Sequence, residues 1–308
     1  MNNEFTCMAP KVWYDGKLVD ESEAKVPLLN HSLQYGSGIF EGIRAYRTGS
    51  GLSVFRLSDH VRRFLNTARI YRMNIGRTEN EISDAILDTV RANGPEECYI
   101  RPFAFFNSES VSLVTDGMKV SLAVMTVKMA GYFQEKVEKG IRCKVSSWKR
   151  INSSILPVEA KASGNYLNSI LGSMDARTSG YDEAIFTSGD GYVAEGAGQN
   201  IFIAKNGEIV TPGAESAILM GITRDSVIKI ARDKGFNVNE RLILRDEIYS
   251  ADEVFFAGTA AEITPIVSVD GIKIADGKPG KITKEILSEY SSVVHGKNEK
   301  YQKWLYSV

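Results

Sequence analysis

The sequence predicts a two-domain protein of mixed α+β and α/β character, with a smaller N-terminal domain over residues 1–127 and a larger C-terminal domain over 139–308 rich in antiparallel strands. Three observations carry this. A chain of 308 residues, 43% hydrophobic and 24% charged, has material for two medium domains with cores of their own. Four turn dipeptides, Asp15-Gly16, Asp190-Gly191, Asn206-Gly207 and Asp270-Gly271, each lie between segments rich in Val, Ile, Phe or Tyr, which is the pattern of tight hairpins. Helical apolar stripes are interleaved with those hairpins. After the strand-like run Val120 to Val127 a short polar, Gly-containing stretch follows, which places the interdomain linker at 128–138.

In chain order, Leu57, Val61, Phe64, Leu65, Ala68 and Tyr71 form the first helical stripe. Arg62, Arg63, Arg69 and Arg72 lie beside or opposite it and are read as a solvated face, not a nucleic-acid patch. Thr78 with Glu81 three positions on makes a capping box ahead of Ile82, Ala85, Ile86 and Val90, and Asn93-Gly94 closes that helix. Tyr166, Leu167, Ile170, Leu171 and Met174 form a further stripe that stops before Gly180. Arg224 to Lys234 reads as a helix ending at Gly235, and Glu253 to Ala257 as a strand followed by a loop of small residues.

Lys and Arg total 37 against 38 for Asp and Glu, so no net field draws the molecule to nucleic acid or an anionic membrane, and a charged ligand must be caught locally. Nowhere do about 18 apolar residues run together, and Met1 to Lys11 lacks the basic-then-apolar pattern of a leader, so a soluble cytoplasmic protein is expected. Cys7, Cys98 and Cys143 are widely separated with no metal-like spacing; they read as reduced thiols in or near cores, with no metal site.

Chemistry concentrates around Lys161, which stands among Ala160, Ala162, Ser163 and Gly164 just before a helix, where small neighbours leave room for a ligand. Alone, such a lysine can equally be a loop residue in water; partly desolvated, it can form a Schiff base with a carbonyl. Glu195 lies on or just past the second strand of the Asp190-Gly191 hairpin and can be a surface carboxylate. Tyr166 can be purely structural. Gly221-Ile222-Thr223 opens a helix whose backbone N–H groups favour a phosphate, although most helix caps bind nothing.

The segment Glu159-Ala160-Lys161-Ala162-Ser163-Gly164-Asn165-Tyr166 resembles the cofactor-lysine segment of the branched-chain aminotransferases, fold-type IV enzymes that use pyridoxal 5'-phosphate. Further family-like segments recur in order over nearly the whole chain. They are Tyr35-Gly36 with Phe40-Glu41-Gly42-Ile43-Arg44, Tyr99-Ile100-Arg101-Pro102, Glu195-Gly196-Ala197-Gly198-Gln199-Asn200, Gly221-Ile222-Thr223-Arg224, and Gly258-Thr259-Ala260-Ala261-Glu262-Ile263-Thr264-Pro265.

The resemblance implies a two-domain fold-type IV enzyme that moves the amino group of leucine, isoleucine or valine to 2-oxoglutarate by a ping-pong mechanism. It makes Lys161 the catalytic, cofactor-bearing lysine, and sets Glu195 at the pyridine nitrogen and Tyr166 at the phenolic oxygen. Arg56, Ile222, Thr223 and Thr259 go to the phosphate, with Gly198 close by. For the substrate it implies an apolar pocket of Tyr35, Phe40, Gly42 and Tyr99, Arg101 for a second carboxylate, and the amides of Thr259 and Ala260 for the α-carboxylate. It also implies a homodimer or larger homo-oligomer in which the 107–117 loop reaches a neighbour. The sequence departs from the family in that loop, in the missing tryptophan of Lys128-Met129-Ala130-Gly131-Tyr132, and at Gln199, where many relatives carry Glu. The rivals are a D-amino acid transaminase or aminodeoxychorismate lyase of the same fold type, and a protein that binds the cofactor without turnover. Tyr99-Ile100-Arg101-Pro102 and Gly258-Thr259-Ala260-Ala261 favour the branched-chain reading over the first, and Glu195 beside Lys161 over the second, since mere binding needs no electron sink. His31, His60 and His295 read as structural or exposed.

Overall fold

A computed structural model describes residues 9–128 and 137–308. Cys7 and most of the expected linker, Gly131 and Tyr132 included, lie outside the described residues. The described chain falls into two compact units. The first holds residues up to 128 together with Ala160–Gly164 and Ser292–Val308; the second holds 137–159 and Asn165–Ser291. The predicted single cut assigns both Ala160–Gly164 and Ser292–Val308 to the second domain. They join the first because their backbones pair there: Ala162 bridges Ile39, and the strand Leu305–Ser307 runs antiparallel to Ser53–Phe55.

In the first unit the strands are β1 (Lys11–Tyr14), β2 (Lys17–Asp20), β3 (Gly38–Phe40), β4 (Ile43–Thr48), β5 (Gly51–Phe55), β6 (Cys98–Phe106) and β7 (Val120–Lys128). They form one sheet in the order Leu305–Ser307, β5, β4, β6, β7, β1, β2, with β3 on β6. Asp15-Gly16 turns β1 into β2 with φ of 48° and 104°, the left-handed pair that a two-residue hairpin loop requires. Between β3 and β4 the chain breaks at Glu41-Gly42, where the Glu41 N–H donates to the Pro102 carbonyl at 2.9 Å. That break positions the pocket residues described below.

After α1 (His31–Tyr35), the helices α2 (Leu57–Ile70) and α3 (Glu79–Asn93) pack on this sheet. Leu57, Val61, Phe64 and Ala68 of α2 and Ile82, Ala85, Ile86 and Val90 of α3 are buried with Ile43, Val54, Ile100 and Val124 of the strands, as the periodicity predicts. Thr78 and Glu81 form the reciprocal capping box. Arg63 departs from the predicted solvated face: only 15% of its side chain is exposed, because it turns inward to Glu41.

The second unit is built on a sheet of β8 (Ile141–Val145), β9 (Glu183–Thr187), β10 (Val193–Gly196), β11 (Asn200–Lys205), β12 (Glu208–Thr211), β13 (Val238–Glu240), β14 (Glu253–Gly258), β15 (Glu262–Val269) and β16 (Ile272–Lys273). The order is β10, β9, β8, β15, β14, β11, β12, β13, with β16 on β15 and β10 also paired to β11. The three remaining turn dipeptides join β9 to β10, β11 to β12 and β15 to β16 as antiparallel hairpins. Ile185, Val193, Ile201, Ile203, Val254 and Phe256 fill its core.

Among the described residues the longer helices with this sheet are α4 (Tyr166–Thr178), α5 (Ile222–Asp233), α6 (Arg245–Tyr249) and α7 (Lys281–Val294), the last three residues of α7 falling in the first unit. The stripe on α4 does not face its own core. Ser169, Gly172 and Ala176 are the buried residues, while Leu167, Ile170, Leu171 and Met174 are exposed. The aromatic ring of Phe186 lies where a side chain at Gly172 would stand, so the helix presents its small residues to the sheet.

Candidate active site

Lys161 belongs to the first unit, and its backbone is fixed from two sides. Its carbonyl accepts the Phe40 N–H at 3.0 Å, and its own N–H donates to Thr67 Oγ1 of α2 at 3.2 Å. The next residue bridges Ile39, and two further on the Gly164 N–H donates to the Gly36 carbonyl at 3.1 Å. A loop among small residues is thereby made as definite as a strand. The half-buried side chain carries its Nζ to 5.1 Å from the centroid of the Phe40 ring.

Around Phe40 the structure gathers three other predicted residues. The Arg101 guanidinium lies over the Phe40 ring at 4.5 Å and over the Tyr99 ring at 5.2 Å, and its NH2 donates to the Tyr99 hydroxyl at 3.0 Å. Gly42 closes the group, since a Cβ there would stand 2.0 Å from Tyr99 Oη. The result is an aromatic wall with the Arg101 guanidinium laid against it. Tyr35 is placed differently. It is exposed at the end of α1, and its hydroxyl donates to the Val111 carbonyl at 3.0 Å. There it anchors the 107–117 loop, together with His31, whose Nε2 lies 3.0 Å from the Ser112 carbonyl.

Beneath Phe40 and Gly42 lies a cluster that the sequence did not reveal. Glu41 is fully buried; its Oε1 receives Arg63 Nε at 2.7 Å, and its Oε2 receives Arg63 NH2 at 2.8 Å and His60 Nδ1 at 2.8 Å. A carboxylate only accepts, so Nδ1 carries the imidazole proton. Burial alone pushes the Glu41 carboxyl up, but Arg63 and His60 together hold it well below the usual carboxylate range. Burial lowers the His60 pKa, against the pull of Glu41 and with help from Arg63 and Lys161. His60, Arg63 and Thr67 all sit on α2, at the spacing of one helix face. One helix therefore holds both the turn that carries Phe40 and the backbone of Lys161.

Arg56, also in the first unit, joins β5 to α2 and is only 5% exposed. It forms an ion pair with Asp59 and lies over the ring of Trp304 at 4.6 Å.

In the second unit Glu195 is on β10 itself, buried at 4% exposure. Its Oε1 pairs with Arg150 Nε at 2.8 Å, and its Oε2 accepts from Asn200 Nδ2 at 3.1 Å and from the Leu219 N–H at 3.2 Å. Arg150, likewise buried, continues to Asn168 and Ser169 on α4. The surface-carboxylate alternative for Glu195 is thereby removed, and Arg150 is a contributor that no sequence motif marked. Tyr166 begins α4, half-buried. Ile222 and Thr223 open α5 as predicted, behind Gly221 at the N-cap, which brings no side chain of its own to cap the helix. A Cβ at Gly221 would meet Asn200 Oδ1 at 2.1 Å, so the helix start is drawn against the residue that holds Glu195. Thr259 and Ala260 form the tight connection of β14 to β15, half-buried, and open space surrounds the Cβ position of Gly198.

The groups present are those a phosphorylated pyridine aldehyde needs: an amine, a buried carboxylate, a buried guanidinium and a helix start. The model of amino-transferase class IV matches residues 38–269, and the chain belongs to that family: it is an aminotransferase. Within the class it falls among the branched-chain-amino-acid aminotransferases. It is 43% identical over 294 residues to the Pseudomonas aeruginosa branched-chain-amino-acid aminotransferase, covering 95% of each chain. It is 50% identical, with a TM-score of 0.92, to the crystal structure of the Thermoproteus uzoniensis branched-chain aminotransferase with norvaline, covering 96% of this chain and 98% of that one. It is 41% identical, with a TM-score of 0.93 and the same coverage, to the T.th. branched-chain amino acid aminotransferase complexed with N-(5'-phosphopyridoxyl)-L-glutamate.

Proposed function

We propose that this aminotransferase uses pyridoxal 5'-phosphate to transfer the amino group of L-leucine, L-isoleucine or L-valine to 2-oxoglutarate, giving the branched-chain 2-oxo acids and L-glutamate in two half-reactions. The observation that carries the reading is the setting of Lys161, whose backbone is clamped by Phe40 and Thr67 and whose amine faces an aromatic wall with the Arg101 guanidinium laid against it. A relative bound to norvaline and another bound to a phosphopyridoxyl-glutamate adduct support both an apolar substrate and glutamate as its counterpart.

The cofactor supplies an aldehyde for the substrate amine and a ring that takes up electron density from the α-carbon. Lys161 would anchor it and, once its amine is free, would take the proton from the substrate α-carbon as general base and deliver it to the cofactor's former aldehyde carbon as general acid. Glu195, fixed by Arg150 and Asn200, faces the ring nitrogen, and Tyr166 the phenolic oxygen. Arg56, Ile222, Thr223 and Thr259 hold the phosphate, with Gly198 leaving room nearby. Phe40, Gly42 and Tyr99 receive the apolar side chain, with Tyr35 at its margin; Arg101 receives the second carboxylate of glutamate, and the amides of Thr259 and Ala260 the α-carboxylate. Exposed Leu28, Leu33, Val111, Leu113 and Val114 in the first unit and the apolar face of α4 in the second support a homodimer or larger assembly. Among the described residues no helix is long and apolar enough to cross a membrane; a cytoplasmic location is part of the proposal and rests on the resemblance.

Initial rates with L-leucine and 2-oxoglutarate varied together are expected to give parallel reciprocal lines. Intersecting lines would remove the two-half-reaction mechanism, and consumption of D- but not L-amino acids would move the assignment to a D-amino acid transaminase. Lys161→Ala is expected to lose turnover by at least about 10³-fold and to lose the absorbance of lysine-bound cofactor.

A further inference from the structure

Arg56 has φ 56° and ψ 36°, a left-handed conformation that residues with a side chain keep only where their surroundings impose it. The surroundings here are the last residues of the chain. The Arg56 N–H donates to the Trp304 carbonyl at 2.6 Å, and the adjoining Leu305 is paired with Phe55 in the sheet. Above the backbone, the guanidinium lies 4.6 Å from the Trp304 ring centroid while its Nε is engaged by Asp59. The indole is itself wedged, edge-on to Phe55 at 5.8 Å and against Tyr301 at 4.3 Å, and is 8% exposed. Tyr306 adds a tie between its hydroxyl and Ser58 Oγ at 2.7 Å, which fastens the tail to the first turn of α2.

We infer that Trp304 is a positioning residue for the cofactor's phosphate: its ring and carbonyl fix the plane and backbone of Arg56 and so set the affinity for the phosphate group. The inference rests on the assignment of Arg56 to that phosphate. A guanidinium confined between a carboxylate edge and an aromatic face has few orientations left, so little is lost when it meets an anion. Without the ring, Arg56 keeps its charge and loses its direction. The C-terminal tail therefore serves ligand binding as well as the edge of the sheet.

The test uses the apoprotein and measures, by absorbance titration, the dissociation constants of pyridoxal 5'-phosphate and of unphosphorylated pyridoxal. The pyridoxal constant divided by the pyridoxal 5'-phosphate constant isolates what the phosphate contributes. In Trp304→Leu the ratio is expected to fall about five- to tenfold with pyridoxal affinity unchanged, in line with loss of one desolvated cation–π contact. Trp304→Phe, which keeps an aromatic face, stays within about twofold of the parent. Arg56→Met, the control for the underlying assignment, lowers the ratio by about 10- to 100-fold. Equal weakening of both ligands in Trp304→Leu would mark the ring as merely structural and overturn the inference. An unchanged ratio in Trp304→Leu alongside a lowered one in Arg56→Met would overturn it while leaving Arg56 at the phosphate; an unchanged ratio in both would overturn the two together. Trp304→Met, which fills most of the space without an aromatic face, gives the same reading if the leucine variant does not fold.

Discussion

Glu41 and Arg150 act through their neighbours, and each was hidden in the sequence for a different reason. Glu41 stands in the family-like segment Phe40-Glu41-Gly42-Ile43-Arg44, but nothing in that segment tells that its partners are His60 and Arg63 on a helix about twenty positions away. Arg63 read as solvated because most surface arginines are; only the fold shows a buried carboxylate across from it. Arg150 lies in a loop with no motif, and its pairing with Glu195 spans a separation that no local pattern encodes. Lys161, Tyr166 and Glu195 stand out as candidates in the sequence because neighbouring residues along the chain carry the family-like pattern. For the cluster the expectation is energetic: Glu41→Gln leaves Arg63 buried beside a neutral partner and lowers unfolding free energy by about 3–5 kcal/mol, read from the urea midpoint at constant slope. A loss below about 1 kcal/mol would show that the cluster is not what holds the Phe40 turn.

Among the elements, α2 joins packing to chemistry. Its apolar face was readable as a stripe, while the same helix presents His60, Arg63 and Thr67 to the Phe40 turn and to Lys161, a second function that periodicity does not express. The converse holds at α4, where the periodicity is present and its burial is not: Gly172 and Ala176 face the sheet, and the leucines and Met174 are left outside. A stripe predicts that a face will be covered without saying by what. The break between β3 and β4 gives the prediction at this scale. In Gly42→Ala the new Cβ meets the Tyr99 hydroxyl, the movable end of a side chain, so Tyr99 is displaced while the strands stay paired. The ratio of kcat/KM for L-leucine to that for L-glutamate is expected to change by about tenfold, with the melting temperature nearly unchanged, since one methyl in an apolar pocket is worth about 1–3 kcal/mol. An unaltered ratio would separate Tyr99 from substrate selection.

For the whole molecule, the hairpins and helices were predicted from turn chemistry and periodicity, and the return of the C-terminal tail to the first unit was not, because β-pairing between positions about 250 residues apart leaves no local mark. Acid sensitivity is a property of the whole fold with an identifiable origin. His60 has a lowered pKa when folded, so below its ordinary value of 6.5 the unfolded chain binds a proton that the native chain resists, and stability falls. Glu41 is lowered as well, so its contribution is complete above 4.5 and is lost as pH falls further. The melting temperature is therefore expected to decline in two stages as pH falls from 7 to about 2, the upper stage, below 6.5, weakened in His60→Asn and the lower, below 4.5, in Glu41→Gln. Profiles identical to the parent in both variants would place the acid-sensitive groups elsewhere.

The most direct measurement of the central claim is the absorbance spectrum of the purified protein loaded with pyridoxal 5'-phosphate, before and after L-leucine, with 2-oxoglutarate added last. The account predicts a band of lysine-bound cofactor that falls with leucine and returns with 2-oxoglutarate. A band that leucine leaves unmoved would contradict it.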